Sequence, residues 1–197
     1  MKKLILLSAS LFIFTHLNAQ TADTLKDRDL RIEVEPASFF LRGFSGGVYQ
    51  NISQNNQLSL GLFTAFLDVP DPLREVLFTN VGQSDTTDVR LGFELALNAR
   101  YRFKLFPSRE SNPYVGVILG WEYFDISQPS NLGVNRLSTF IFTPYLGYEL
   151  YFYKRLLYLN PQLRGIAYFG SKSSLENRPE SLKSFGLLPQ IGIGIRL

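Results

Sequence analysis

Residues 89–104 read V-R-L-G-F-E-L-A-L-N-A-R-Y-R-F-K and alternate between two kinds of position without a break. Val89, Leu91, Phe93, Leu95, Leu97, Ala99, Tyr101 and Phe103 share one side of the alternation. Arg90, Gly92, Glu94, Ala96, Asn98, Arg100, Arg102 and Lys104 share the other. Side chains of a β-strand point to opposite faces in turn, so this spacing predicts one long strand between an apolar and a polar surrounding. Most strands run about five or six residues. A strand of this length, cationic on one face only, fits the wall of a barrel.

Seven more segments alternate in the same way, at 30–40, 44–52, 57–68, 113–126, 137–152, 155–170 and 184–197. The breaks at 53–56 and 153–155 are short and that at 107–112 is moderate, whereas those at 69–88, 127–136 and 171–183 are longer. Outer-membrane barrels show this alternation of tight periplasmic turns with longer extracellular loops. With a periplasmic C-terminus, the strand ending at Ile52 runs inward and an outward strand must precede it. The segment 30–40 is that strand, turning at Leu41-Arg42-Gly43. The predicted fold is all-β: an eight-stranded antiparallel transmembrane β-barrel with periplasmic termini. Its weakest part is the first hairpin, which contains Pro36, Gly43, Gly46 and Gly47. The unit P-x-x-G recurs at Pro113–Gly116, Pro144–Gly147 and Pro189–Gly192, with a looser copy from Pro161 to Gly165, so the strands repeat one pattern.

Alternation leaves two barrels open. In a membrane barrel the charges line the lumen; in a soluble lipocalin-like barrel they face water and a small apolar ligand sits inside. Three features favour the membrane. Gly92, Gly116, Gly120, Gly147, Gly192 and Gly194 fall on the polar face with Glu94, Glu122, Glu149 and Arg196, and the narrow lumen of an eight-stranded barrel needs small residues. Aromatics gather at strand ends. Tyr101, Phe103, Tyr148, Phe152 and Tyr158 fall at the periplasmic side and Trp121, Tyr123, Phe140 and Phe169 at the outer side, as interfacial girdles do. No charge interrupts the middle of the apolar face, where Arg or Lys costs roughly 2–4 kcal/mol.

Composition supplies the address. A basic start, a short apolar run to Phe14 and Ala19 before Gln20 predict a secretory signal peptide over 1–19, and the polar stretch 20–29 reads as a flexible leader to the barrel at 30–197. No stretch is apolar for long enough to make a transmembrane helix. Of the 20 Lys and Arg, two leave with the signal, so the mature chain is near neutral against 17 Asp and Glu and carries no signature of nucleic-acid binding. The chain has no Cys, and its one His, His16, lies in the signal. That excludes Ser-His-Asp and Cys-His catalysis and the common zinc and copper sites, so the chain reads as a non-enzyme without metal or cofactor.

The P-x-x-G strands, the hairpin from Tyr49 to Leu62 and the ending I-G-I-G-I-R-L resemble small outer-membrane β-barrels of the Bacteroidetes, of an OmpA/OmpX-like or porin-family-like kind. The resemblance covers most of the mature chain and implies the fold, the outer membrane and an asymmetric leaflet with lipopolysaccharide as neighbours. Its motifs are structural and name no activity. That family often ends in an aromatic residue, where this chain has Leu197.

The predicted lumen set is Arg90, Glu94, Asn98, Arg100, Arg102, Glu122, Glu149, Gln162, Arg164, Gln190 and Arg196. Paired acids such as Glu122 and Glu149 suit acid–base chemistry, and clustered Arg suits an anion. The plainer reading is a plug in which each charge is compensated, and it is preferred. A lipid-A-modifying barrel enzyme would need His. In the long break at 69–88, Asp71 can cap and Pro72 open a short helix whose Leu73, Val76, Leu77 and Phe78 either dock a partner or lie over the barrel mouth. Asp23-Thr24-Leu25 and Asp85-Thr86-Thr87 resemble O-glycosylation sequences. Residues 85–88 hold too few carboxylates for a calcium loop, and Gly46-Gly47 lacks a phosphate-loop context. With no activity in view, the function reads as structural or surface-interacting, or as that of an accessory subunit in a larger outer-membrane complex. Outward Pro144, Pro161, Pro189, Gly165 and Ala167 would let another protein approach closely.

Overall fold

The computed structural model describes residues 30–53, 57–79, 88–105, 111–127, 134–152, 156–173 and 181–197. The predicted signal peptide, the leader, Thr24 and Thr86 lie outside them. Eight strands form the body: β1 (Leu30–Val34), β2 (Phe44–Asn51), β3 (Leu58–Asp68), β4 (Asp88–Arg102), β5 (Pro113–Ser127), β6 (Val134–Tyr148), β7 (Leu157–Ser173) and β8 (Phe185–Arg196). Each pairs antiparallel with the next, and β8 closes on β1 with Ile195 opposite Ile32 and Gly194 opposite Glu33. The chain is thus a closed, antiparallel, eight-stranded barrel, as its periodicity predicts. Both ends of the described chain meet at one end of it, where Leu197 N–H donates to the Leu30 carbonyl at 2.8 Å. The other end carries helix α1 (Ala37–Phe40), helix α2 (Asp71–Leu77) and a two-residue ladder joining Phe78–Thr79 to Ser181–Leu182.

Two departures from the predicted strands have local causes. The first strand stops at Val34 rather than residue 40, because Pro36 offers no ladder N–H and Ala37–Phe40 coils into α1. The return to β2 passes through Arg42, at φ 51°, and Gly43, whose Cβ would fall 2.0 Å from the Phe66 carbonyl oxygen. The second departure corrects the unbroken alternation of 89–104. Leu91 lies opposite Phe124 and Phe93 opposite Tyr123, so Gly92 is the extra residue of a β-bulge. A Cβ there would sit 2.0 Å from the Tyr123 ring. The bulge exchanges the two faces: beyond it Val89 and Leu91 point inward and Arg90 outward, while Glu94, Asn98, Arg100 and Arg102 point inward on the near side. A second bulge, at Gly170 of β7 with φ 63°, shifts the register between Ser138 and Phe140 of β6.

The exchange is legible once the interior is seen to change character along the barrel axis. Toward the helices the inside is apolar, with Phe63, Val69, Leu91, Ile118, Phe124 and Ile141 closed over by Leu77 and Phe78. Toward the termini it is polar and charged. The outside carries a band of exposed large apolar side chains, among them Leu60, Leu97, Leu119, Phe142, Leu146 and Ile191. Trp121 stacks near Tyr123 and Tyr101 near Phe103, at opposite ends of that band. Tyr158, expected in the girdle, is instead fully buried inside, because Leu157 and Leu159 take the outward positions of β7.

Candidate functional site: the barrel interior

Strand β1 sets the charged half. Its sequence L-R-I-E-V puts Leu30, Ile32 and Val34 on one face and Arg31 and Glu33 on the other, with Glu35 following inward. Glu33 accepts both ends of the Arg100 fork at 2.8 Å, the Asn160 amide at 2.7 Å, the Gln162 amide at 3.1 Å and the Tyr158 hydroxyl at 3.2 Å. Bidentate Arg–carboxylate pairs of this kind are the strong members of their class. Arg100 also donates to the Tyr145 hydroxyl at 2.8 Å and lies 3.8 Å from the centre of the Tyr49 ring, and the Tyr145 hydroxyl donates to Asn98. Glu149 takes Arg31 at 2.9 Å, Arg102 at 2.8 Å and the Tyr151 hydroxyl at 3.0 Å. Glu35 pairs with Arg164, which also donates to Gln162 at 2.9 Å. Stripping water from a charge costs several kcal/mol, and pairing of this kind is what offsets it in such a lumen.

Glycine makes the tyrosines fit. Tyr114 lies opposite Gly147, Tyr145 opposite Gly116, Tyr158 opposite Gly194 and Tyr49 opposite Gly61. In each pair the ring lies against the glycine, and a Cβ there would come within 2.0–2.4 Å of it. This is the aromatic covering of glycine used to hold register in sheets. It gives the small lumen residues a sharper purpose than general narrowness.

Of the predicted lumen residues, Asn98, Arg100, Arg102, Glu149, Gln162 and Arg164 come together in this network. Arg196 lies half-buried at the terminal end, in register with Arg31. Arg90 is not in the lumen: the Gly92 bulge turns it out, 54 % exposed and 3.6 Å from Asp68. Glu94 and Glu122 are buried inside, yet they face each other in register instead of facing an Arg. Oε1 of Glu122 has no hydrogen-bond partner among the described residues. Glu122 and Glu149 do not form a pair, since Glu122 lies opposite Thr139 and Glu149 follows the far end of the same strand. Sequence reasoning missed Arg31, Glu33, Glu35, Tyr49, Tyr114, Tyr145, Tyr158 and Asn160. The R-I-E-V-E alternation carried the signal for the first three. Of the tyrosines only Tyr158 reads as a girdle residue; Tyr114 shares the alternation of Gly116 and Glu122, and Tyr145 that of Gly147 and Glu149, so period-two spacing carried their signal.

Helix α2 forms with Pro72 in the first turn, but Pro70 takes the N-cap position and Asp71 lies in the first turn without a side-chain cap hydrogen bond, paired to Arg74 at 3.1 Å. Arg74 also donates to the Val69 carbonyl at 2.8 Å. Its apolar face is not available to a partner: Leu77 and Phe78 are buried in the barrel core and Leu73 and Val76 pack against it. The reason is proximity, since the strand ends supply the nearest apolar surface. Beneath α2 lies a cavity of about 90 Å³, roofed by Leu73 and Leu77, walled by Leu91, Ile118 and Phe124, and reaching Glu94 and Glu122.

No family model and no curated protein sequence matches this chain. Its fold is similar to the N-terminal β-barrel domain of OprF from Pseudomonas aeruginosa, with a TM-score of 0.53 and 15% identity over 86% of this chain and 97% of that one. It is likewise similar to a major outer membrane protein from Thermus thermophilus, with a TM-score of 0.52 and 14% identity over 87% of this chain and 100% of that one.

Proposed function

We propose that the protein is a non-enzymatic outer-membrane barrel of the small Bacteroidetes type, with periplasmic termini and a lumen closed to ions. It serves as a structural or surface-interaction protein among lipids that include lipopolysaccharide. The observation that carries this reading is ion pairing: each buried Arg of the described lumen, Arg31, Arg100, Arg102 and Arg164, is bound to a Glu. Arginines so engaged offer no anion site, and with α2 closing the far mouth the interior supports a plug better than a pore. The exposed apolar band supports a bilayer surrounding, because water would penalise a continuous patch of that kind. Planar-bilayer recording of the refolded chain is expected to give no stable conductance, and large regular steps would overturn the plug. Refolding as a monomer without detergent would overturn the membrane reading and restore the lipocalin-like one. Lipid A from overproducing cells is expected to be unaltered by mass spectrometry.

One observation favours a role as accessory subunit of a larger outer-membrane complex. Pro144, Pro161 and Pro189 stand exposed on three adjacent strands, β6, β7 and β8, where flat small side chains allow close approach. Purification in mild detergent should then bring down a stoichiometric larger protein, whereas a lone monomer on native gels would reject the subunit role.

A further inference from the structure

We propose that Glu94 and Glu122 form a binding site for one hard divalent cation, of the calcium class, inside the barrel. The two side chains leave adjacent strands at directly paired positions on the inner face, where Cβ atoms stand roughly 4.5–5.5 Å apart. Like charges so placed repel, and among the described residues the cation acting on the pair is Arg164, on Glu94, with none acting on Glu122. The four buried arginines are held by Glu33, Glu35 and Glu149. Arg164, which lines the same cavity, is fastened to Glu35 and Gln162.

A second observation points to a ligand. Glu122 is 5 % exposed, lines the cavity beneath α2, and keeps its Oε1 without a hydrogen-bond partner among the described residues. A buried carboxylate oxygen left so is costly, and such groups call for an ion or a water as explanation. The cavity of about 90 Å³ has room for an ion together with waters.

The donor chemistry selects the ion. Besides the two carboxylates, the cavity is lined by Thr143, Tyr168 and Gln190, which carry oxygen ligands, and by Glu35 and Ser45, of which Glu35 is already bound by Arg164 and Ser45. The mature chain holds neither imidazole nor thiol. An all-oxygen set with two negative charges matches a hard divalent ion in charge and softness, and excludes the zinc and copper class. Calcium suits an irregular lumen better than magnesium, which demands a tight octahedron. The site therefore departs from the metal-free expectation raised by the absence of His and Cys, since that expectation weighed only nitrogen and sulfur ligands and a loop of acids.

The test uses the full chain refolded in detergent, stripped with chelator and titrated with calcium chloride at fixed ionic strength. Thermal unfolding followed by circular dichroism and isothermal titration are read in parallel on wild type, Glu94→Gln, Glu122→Gln and a Glu75→Gln control. Binding to the folded state alone raises Tm with ligand concentration. Wild type and the control are expected to show a saturable rise in Tm and a stoichiometry of one, and both lumen variants to show neither. The chelated lumen variants are expected to melt no lower than chelated wild type, because removing one of two facing charges relieves repulsion. Absence of saturable binding to wild type would overturn the proposal, and so would equal binding by both lumen variants. Stabilisation of wild type by acid alone, with calcium inert, would assign the pair to a shared proton instead. Should a lumen variant fail to fold, the stoichiometry on wild type and the response of the other variant decide the matter.

Discussion

The two halves of the barrel interior are built on opposite principles. The half near the termini is filled by ions, with Glu33 and Glu149 each bound by Arg and tyrosines laid over facing glycines. The half near α2 is filled like an ordinary protein core, by Phe63, Ile118, Phe124 and Ile141 beneath Leu77 and Phe78. An apolar core resists small truncations gradually, since each lost methylene removes a limited contact area. A saturated ion network fails abruptly, because removing one partner strands a charge where water cannot reach it. Glu94 and Glu122 mark the boundary, sharing the cavity with the apolar core and belonging to neither arrangement.

The sharpest break of this contrast is Glu33→Ala, which leaves Arg100 buried beside Asn160, Gln162 and Tyr158 without its counter-ion. It is expected to cost about 3–5 kcal/mol in chemical unfolding from detergent micelles. A loss below about 1 kcal/mol would mean that water reaches this half. In the other half, Leu77→Ala is expected to cost about 2–3 kcal/mol, as a core truncation next to an existing cavity. Hydrogen exchange should rise in 69–79 and remain slow across β1 and β8. Bilayer recordings of this variant should stay silent, because the ion-filled half closes the lumen by itself. Steps appearing here would assign closure to the cap.

Gly116→Val tests the tyrosine packing, since its Cβ would come 2.4 Å from the Tyr145 ring, which Arg100 holds in place. The expected cost is about 1–3 kcal/mol, with the register kept. The smallest effect belongs to Arg90→Ala. Its exposed pair with Asp68 contributes within about 1 kcal/mol, screened further by salt. An effect as large as that of Glu33→Ala would return Arg90 to the lumen and undo the bulge.

Removal of Glu94, Glu122 or Glu149 divides in the same way. Glu149 holds Arg31 and Arg102, so its removal strands them; Glu94 and Glu122 hold no Arg, so theirs does not. Alternation placed all three on one face but could not say which faces which. Membership of the lumen follows from period-two spacing, whereas pairing depends on strand register and on where a bulge resets it. Asn98, Arg100, Arg102, Gln162 and Arg164 were legible for this reason, and the partner of each was not. Tyr158 escaped because a tyrosine sits equally well at a membrane interface or across a glycine in a lumen, whereas Tyr114 and Tyr145 share the polar face of Gly116 and Gly147 and lacked only a reason to be singled out.

The amino-acid order by itself determined the number of strands, their antiparallel succession and the side on which most residues fall, because a strand's faces are set by local geometry that needs no partner. It also determined that a helix opens at Pro72, though not that Pro70 would take the N-cap in place of Asp71. Only the tertiary structure decided that Gly92 is an inserted residue, that Arg90 faces out, that Glu33 binds Arg100 across 67 positions of chain, and that Leu77 turns into the barrel. These depend on closure: once β8 meets β1, each inward side chain faces residues remote in sequence, and their sizes and charges choose among the arrangements that local periodicity allows equally.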